Sequence, residues 1–581
     1  MRTSRAIASL IRSLMLGTAA PATAAVMLTT LVGCKDESQP EYWVDKLSEP
    51  SWRGRAVARL QQFFEDAVTK ANKDMKAPEV QDLINKSVEP LTNVYKDAYA
   101  DLDTKTRVAL IKLLADYRDK RTEPALKKAF EEFAKSPRTS KDDADIKWAA
   151  RANEDLKLDS LADPMLQAFL KMRTSTMLGG IVYRDLNEAM VAVSAKSWAG
   201  PLSGVLEKPM TPPSSKDKEV ADDYRDQLFW QTTAAEVLGR IGDPSAVPAL
   251  IKVMVDPGKA DVQATALLAL VKLGKPAADA ATKLLKSEDT ALIDFYKSRV
   301  KELGGQEPKG SPHVATAALI LGTIGRADAL PAMISALQSE KDDANKAVIA
   351  RELTKIPATP DSVAAFKSVY ESLPADAEIP PGGKALDQLT EAVGSFRDPS
   401  LIEWLLGRAE AAKGDADDRK ALQAAIAVTV LKLAKPSQMP QAKAAIDRYG
   451  TDVEKGLYAQ ADAVVKECGD KAECYVSALQ KGAYQDQKNQ FAGIKAGYMV
   501  AILGNESTRD QLIAGLDKIT NASLRYVSAQ AIDKLTPKGS KEVSTKLNDI
   551  VQKNSKSADR DKAAGDAPLK QVMYRLDGRA G

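Results

Sequence analysis

The sequence predicts an all-α protein, an α-α superhelix of stacked helical pairs. Three observations carry this. Trp230–Met254, WQTTAAEVLGRIGDPSAVPALIKVM, encodes two short amphipathic helices and the turn between them. A second copy of that stretch begins 83 residues further on. Turn signals also divide most of the chain at intervals from the low thirties to about fifty residues, the period range of helical-pair repeats.

In the first copy, Trp230, Ala234, Val237, Leu238 and Ile241 fall at helical spacing on one face. Gly242 can take the left-handed conformation that ends a helix. Asp243 can cap the next helix, with Pro244 at its first position, where a missing N–H costs nothing. Val247, Leu250, Ile251 and Met254 give the second helix its face. Two helices this short cannot bury those faces alone, so the unit needs stacked neighbours.

The second copy is ATAALILGTIGRADALPAMISAL. Ala234/Ala317, Leu238/Leu321, Gly239/Gly322, Ile241/Ile324, Gly242/Gly325, Pro248/Pro331 and Ile251/Ile334 align without a gap. Gly325 is thereby the second turn glycine. The pattern A-x-x-L-G-x-[IL]-G-D-P-x-A-[VI]-P-x-L resembles the HEAT repeat, particularly its bacterial PBS lyase-like subtype. The resemblance implies ten to twelve repeats over residues 91–552, typically with the second helices lining the concave surface. The tetratricopeptide alternative needs a strict 34-residue period, which is absent.

The elements follow in order. Residues 1–33 read as an export signal: Arg2, Arg5 and Arg12 form a basic start, and Leu14–Val32 is apolar, small and broken by Pro21. The segment ends Leu31-Val32-Gly33-Cys34, which resembles a bacterial lipobox. That resemblance implies cleavage before Cys34, a diacylglyceryl thioether and an N-acyl chain on it, and a place on the cell envelope. Lys35 after the cysteine favours the outer membrane, periplasmic or surface face. Several acyl chains, at about 0.8 kcal/mol per buried CH₂, would hold the protein on a membrane. Residues 34–90 form a lipidated N-terminus and helical cap. There Ser51 is expected to cap a helix running to about Phe64, with Val57, Leu60 and Phe64 on one face. Tyr42, Trp43, Trp52, Phe63 and Phe64 suit a terminal closing face, with carbohydrate stacking as the alternative. Residues 67–90, with Pro78 and Pro90, read as a looser helical segment.

Residues 91–552 carry the repeats. The expected pairs are Thr104–Tyr117 with Pro124–Ala134, Asp145–Leu158 with Pro164–Leu170, and Arg184–Ser194 with Pro201–Leu206. After the first motif come Val262–Leu273 with Ala278–Leu285, His313–Ile324 with Leu330–Leu337, and Ala344–Lys355 with Ser362–Leu373. Then follow Ala385–Phe396 with Leu401–Ala411, Arg419–Leu433 with Pro440–Arg448, and Tyr458–Glu467 with Tyr475–Leu479. Ile494–Leu503 with Arg509–Leu516 and Leu524–Leu535 with Lys541–Val551 complete the series. Longer connections at Lys135–Asp143, Arg173–Tyr183, Lys208–Asp223, Ser287–Pro312 and Pro374–Lys384 all fall between pairs, on one edge of such a stack. Neutral loop growth and a decorated binding rim both fit them. Residues 553–581 read as a polar, partly disordered tail.

Composition narrows the function. Of 581 residues, 44% are hydrophobic and only 5% aromatic, which suits small-residue helix packing. The formal charge of +3 vanishes once Arg2, Arg5 and Arg12 are removed with the signal, leaving 79 bases against 79 acids. No basic stripe marks a nucleic-acid binder. Cys468 and Cys474 straddle a helix–helix turn in ECGDKAEC and, in an oxidising compartment, are expected to form a disulfide; free thiols or a metal pair are the alternatives. His313 is the sole histidine; a Ser-His-Asp triad would have to use it, but no G-x-S-x-G elbow accompanies it, and one histidine cannot supply the di-iron site of HEAT-like hydroxylases. The glycine pairs lack a phosphate-loop context. The acidic clusters Asp142-Asp143-Asp145 and Asp415-Asp417-Asp418 lack calcium-loop spacing. The expectation is a non-catalytic protein-binding scaffold anchored to a membrane through lipid. It has no cofactor, no metal, no small-molecule substrate and no nucleic-acid partner. The alternatives are an assembly spacer for envelope machinery or a HEAT-like enzyme or lyase.

Overall fold

The computed structural model describes residues 36–135, 144–174, 181–213, 217–306, 311–379, 382–555 and 566–580. Cys34 and the expected signal lie outside them, as do parts of all five long connections. The chain forms two compact units, Met1–Pro90 and Leu91–Gly581. Among the described residues the structure is helical apart from one isolated bridge between Glu378 and Lys384.

The first unit holds α1 (Pro40–Lys46), α2 (Arg53–Lys70) and the start of α3 (Pro78–Asp97). Val57, Leu60 and Phe64 are buried as the spacing requires. Ser51 is not the cap: α2 begins after Trp52, whose side chain makes no cap hydrogen bond, and it runs on to Lys70. The looser segment is also corrected. Pro90 sits inside the 20-residue α3. A mid-helix proline costs about 3 kcal/mol, but Val80, Ile84, Val88, Leu91 and Tyr95 are all essentially buried at helical spacing and hold the helix together. Trp43 is 1% exposed and donates from Nε1 to the Glu37 carbonyl at 2.7 Å, so its ring is not free for a sugar to stack on.

Among the described residues the second unit shows twelve helical pairs. They are α4 (Thr104–Tyr117) with α5 (Glu123–Lys135), α6 (Ala144–Leu156) with α7 (Ala162–Lys171), and α8 (Ile181–Val193) with α9 (Ala199–Glu207). Next come α10 (Lys218–Ile241) with α11 (Val247–Val255) and α12 (Ala260–Leu273) with α13 (Lys275–Leu285). The extra helix α14 (Thr290–Glu302) fills the Ser287–Pro312 connection. Then follow α15 (Pro312–Ile324) with α16 (Leu330–Ser339), α17 (Asp343–Leu353) with α18 (Pro360–Ser372), and α19 (Ala385–Val393) with α20 (Ile402–Glu410). α21 (Ala416–Leu433) pairs with α22 (Met439–Tyr449), and α23 (Asp452–Cys468) with α24 (Ala472–Leu479). A short α25 (Gly482–Gln485) precedes α26 (Gln490–Leu503) with α27 (Glu506–Ala514). The last pair is α28 (Ala522–Lys534) with α29 (Lys541–Ser555), followed by α30 (Ala567–Arg579).

The repeat turn is built by the residues its sequence suggests. Gly242 takes φ 73° and ψ 18° and bonds its N–H to the Leu238 carbonyl. The Asp243 carboxylate accepts from the Ser245 N–H at 2.9 Å, and this bond holds its pKa below the usual carboxylate value. Pro244 opens a 3₁₀ turn, Pro244–Ala246, which leads into α11. In the second copy Gly325 repeats the left-handed end at φ 72°. Arg326 stands in place of Asp243, and its side chain does not cap the turn.

The repeated Gly239/Gly322 sets how closely the first helices of successive pairs approach. A Cβ on Gly239 would lie 2.8 Å from Ala269 Cα on α12, and one on Gly322 would lie 2.6 Å from the Glu352 carbonyl oxygen on α17. Gly497 on α26 meets Val527 on α28 in the same way. Small residues let the first-helix row close up, and the closer row lies on the inner side of a superhelical turn. The expectation that second helices line the inner surface is therefore corrected. Contacts between distant pairs confirm this: Arg397, just after α19, donates to the Gln530 side chain on α28, and Lys534 Nζ donates to the Phe396 carbonyl at 3.0 Å.

The tail is the other correction. α30 packs against α12, α28 and α29. Leu569, Val572, Met573 and Leu576 are buried, each worth roughly 1.5–3 kcal/mol of transfer free energy. Asp566, at the head of α30, is buried in an ion pair with Arg525 and accepts from Asn554 Nδ2 at 2.9 Å. At the other end Arg326 donates to the Gly578 carbonyl at 2.7 Å. The chain end thus ties the last pair to pairs some 250 residues earlier.

Candidate functional site

The first-helix row encloses a groove of about 560 Å³ between α17, α19, α21, α26 and α28. Its apolar surface comes from Ala392, Ile494, Tyr498, Tyr526 and Val527. Tyr526 is 49% exposed, one of two large hydrophobic side chains left this open among the described residues. Tyr498 is nearly buried, and the Arg397 guanidinium stacks 3.4 Å from its ring centre. Stacking of this kind fixes the ring as a rigid wall.

Charged groups of both signs border the groove. Arg351 donates to the Gln388 side chain at 2.8 Å and to Glu352 at 3.0 Å, while Lys355 reaches the other Glu352 oxygen at 2.5 Å. Glu352 is fully buried, so it neutralises these two cations from behind the wall. Glu391 and Lys432 stand at the rim. The row continues into an open trough of about 970 Å³ bounded by Asp387, Lys420, Arg448 and Glu454. Burial raises the Asp387 pKa, with the nearby Asp418 adding to the shift and Lys384 opposing it. A long, shallow surface with alternating charges and small apolar patches suits an extended polypeptide, whose backbone and side chains make many modest contacts.

Lys495 fixes the floor. It is fully buried on α26 and donates to the carbonyls of Leu431, Lys432 and Ala434 at the end of α21. These are the carbonyls a helix C-terminus leaves unpaired. Burial pulls its pKa down to about 7.

The residues singled out from the sequence lie elsewhere. Gly242, Asp243, Pro244 and Gly325 serve the turns between paired helices. Cys468 and Cys474 are joined across the α23–α24 turn, with Cα atoms 5.3 Å apart. Glu467 lies beside the two sulfurs. Its carboxylate is engaged by Lys481 and Tyr484, and disulfide sulfurs are poor metal ligands beside thiolates. His313 is 7% exposed and shares a 2.8 Å hydrogen bond with the Ser287 hydroxyl, a link within the stack. Asp415 caps α21 through the N–H groups of Asp417 and Asp418. Asp145 is buried against Arg107 and Tyr95, and Asp142 and Asp143 lie outside the described residues. Single-residue reasoning missed Tyr526 and Glu391 because a groove formed by five helices leaves no local motif.

The profile of HEAT repeats matches residues 230–293, which include the first motif. No curated protein sequence matches the chain. Among solved structures, importin beta crystallised in an ammonium sulfate condition aligns over 92% of this chain and 84% of its own. The identity is 9% and the TM-score 0.28. Residues 230–293 thus match the HEAT-repeat family model, and they lie within an all-α superhelix of stacked helical pairs.

Proposed function

We propose that the protein is a non-catalytic scaffold that holds an extended segment of a partner protein in its first-helix groove. The observation behind this reading is the groove itself. It is open, mixed in charge and walled by a stacked tyrosine, and it presents Tyr526 to solvent. Aromatic side chains in this position supply contact area at low entropic cost, as they do at many interfaces. The assembly-spacer reading uses the same fold but needs no groove chemistry.

Cys34 anchors the protein on the bacterial envelope in this reading, favouring the outer membrane. Support comes from the basic start, apolar stretch, lipobox-like ending and abrupt polar sequel. The test is affinity capture of the anchored protein after chemical cross-linking, with wild type beside Tyr526→Asp. A partner recovered with wild type and lost with the variant supports groove binding. Recovery of no reproducible partner, or equal recovery with both, overturns it. Cys34→Ser tests the anchor separately: the account requires loss of acyl label and release from the membrane.

A further inference from the structure

At one edge of the groove, five cations line a cavity of about 260 Å³, among them Lys355, just after α17, whose ammonium is taken by Glu352. Arg397 comes from the α19–α20 turn, Lys534 from the end of α28, and Arg575 and Arg579 from α30. A single carboxylate lines the cavity, that of Asp533. Arg575 and Arg579 share it, the former at 3.2 Å.

The other partners are uncharged. Arg397 donates to the Gly394 carbonyl at 2.9 Å and to the Gln530 side chain. Lys534 donates to the Phe396 carbonyl, and Arg575 to the Lys355 carbonyl. The remaining nearby acids are committed: Glu352 to Arg351 and Lys355, and Asp398 to the Ser400 N–H at 2.9 Å. The Arg575 and Arg579 side chains are 7% and 5% exposed, and the Nε of each has no hydrogen-bond partner. Burial lowers the Lys534 pKa, Asp398 opposes that shift, and Arg397 adds to it. Clustered guanidinium groups in a poorly solvated recess repel one another. They also present the forked donors that suit a tetrahedral oxyanion.

We propose that this cavity is an oxyanion site, taking inorganic phosphate or a small phosphate monoester, and that the C-terminal helix completes it by supplying Arg575 and Arg579. The site does not depend on the partner-binding reading. Its ligand, by binding only when α30 is docked, would hold the chain end against the last pair.

Titration calorimetry on the full chain tests this, with inorganic phosphate and glycerol phosphate in separate arms at constant ionic strength set by chloride. The expected result is saturable binding of one anion per chain in at least one arm. Which arm binds more tightly identifies the source. Arg397→Gln and Lys534→Gln, which leave the Asp533 pairs of α30 intact, each weaken binding by at least about tenfold. Hydrogen exchange at residues 567–579 verifies that α30 stays docked in both variants. Asp533→Asn, by removing the competing carboxylate, tightens binding wherever that exchange check is passed. No saturable heat in either arm up to about 10 mM overturns the proposal. So does binding unchanged in both glutamine variants, which would mean an adventitious ion only.

Discussion

Gly322→Ala probes the close approach of the first helices. A Cβ there would stand 2.6 Å from the Glu352 carbonyl oxygen, 2.8 Å from Glu352 Cβ and 2.9 Å from Glu352 Oε2. Two of these three atoms cannot rotate away, so α15 and α17 must separate. Overpacking typically costs 1–3 kcal/mol, and a clash with backbone belongs in the upper part of that range. Against it stands the helix-propensity gain of about 1 kcal/mol on replacing glycine by alanine. The predicted net loss is therefore about 1–2 kcal/mol. Gly456 supplies the control: it lies inside α23, is exposed and has nothing within 4 Å of an added Cβ. Gly456→Ala should stabilise by up to about 1 kcal/mol. The assay is urea unfolding followed by circular dichroism, with hydrogen exchange on α15 and α17, because stability in stacked repeats is partly local. A Gly322→Ala protein as stable as wild type, with unchanged exchange in α17, would refute the reasoning.

Three further predictions follow from named contacts. Asp566→Ala strands the buried Arg525 guanidinium, a change that typically costs about 3–5 kcal/mol; exchange protection over 567–579 should collapse while that of α10–α12 remains, and retained protection would contradict the docking role. Cys468→Ser with Cys474→Ser opens a six-residue separation, for which loop-closure entropy gives a loss of about 2 kcal/mol, read as a lower denaturation midpoint that reductant does not lower further. The His313 pKa is lowered mainly by burial, Glu340 opposing and Lys297 adding to the shift. The neutral ring is therefore the form the fold prefers. Its stability contribution is present above the unfolded value near 6.5 and lost as pH falls through the depressed folded value. Melting curves of wild type and His313→Gln should diverge in pH dependence below about 6.5, and parallel curves would exclude the effect.

Much of the architecture was legible because helical pairs announce themselves twice. Apolar residues repeat at 3.6-residue spacing, and Gly, Asp and Pro mark the turns. Gly242 and Gly325 could be assigned to left-handed helix ends from sequence alone, and both adopt that geometry. Gly239 and Gly322 were visible as matched positions, but their role needed the neighbouring helix. The C-terminal helix did carry a signal: Leu569, Val572, Met573 and Leu576 recur at i, i+3, i+4 and i+7. A preceding polar stretch concealed it, and nothing local says that its receptor surface includes α12. Pro90 misled in the opposite direction, since burial on both sides of it outweighs its intrinsic cost. The groove was not legible because Arg351, Glu391, Lys432, Tyr498 and Tyr526 come from five helices spread over 176 positions.

The central claim is that the first-helix groove, not the outer row of second helices, receives the partner. A photo-reactive amino acid in place of Tyr526 on the groove, compared with one in place of exposed Glu403 on α20, tests it directly in cells. The account predicts one reproducible cross-linked protein from position 526, with the modified segment extended, and none from position 403. Equal cross-linking from both positions, or from 403 alone, would contradict it.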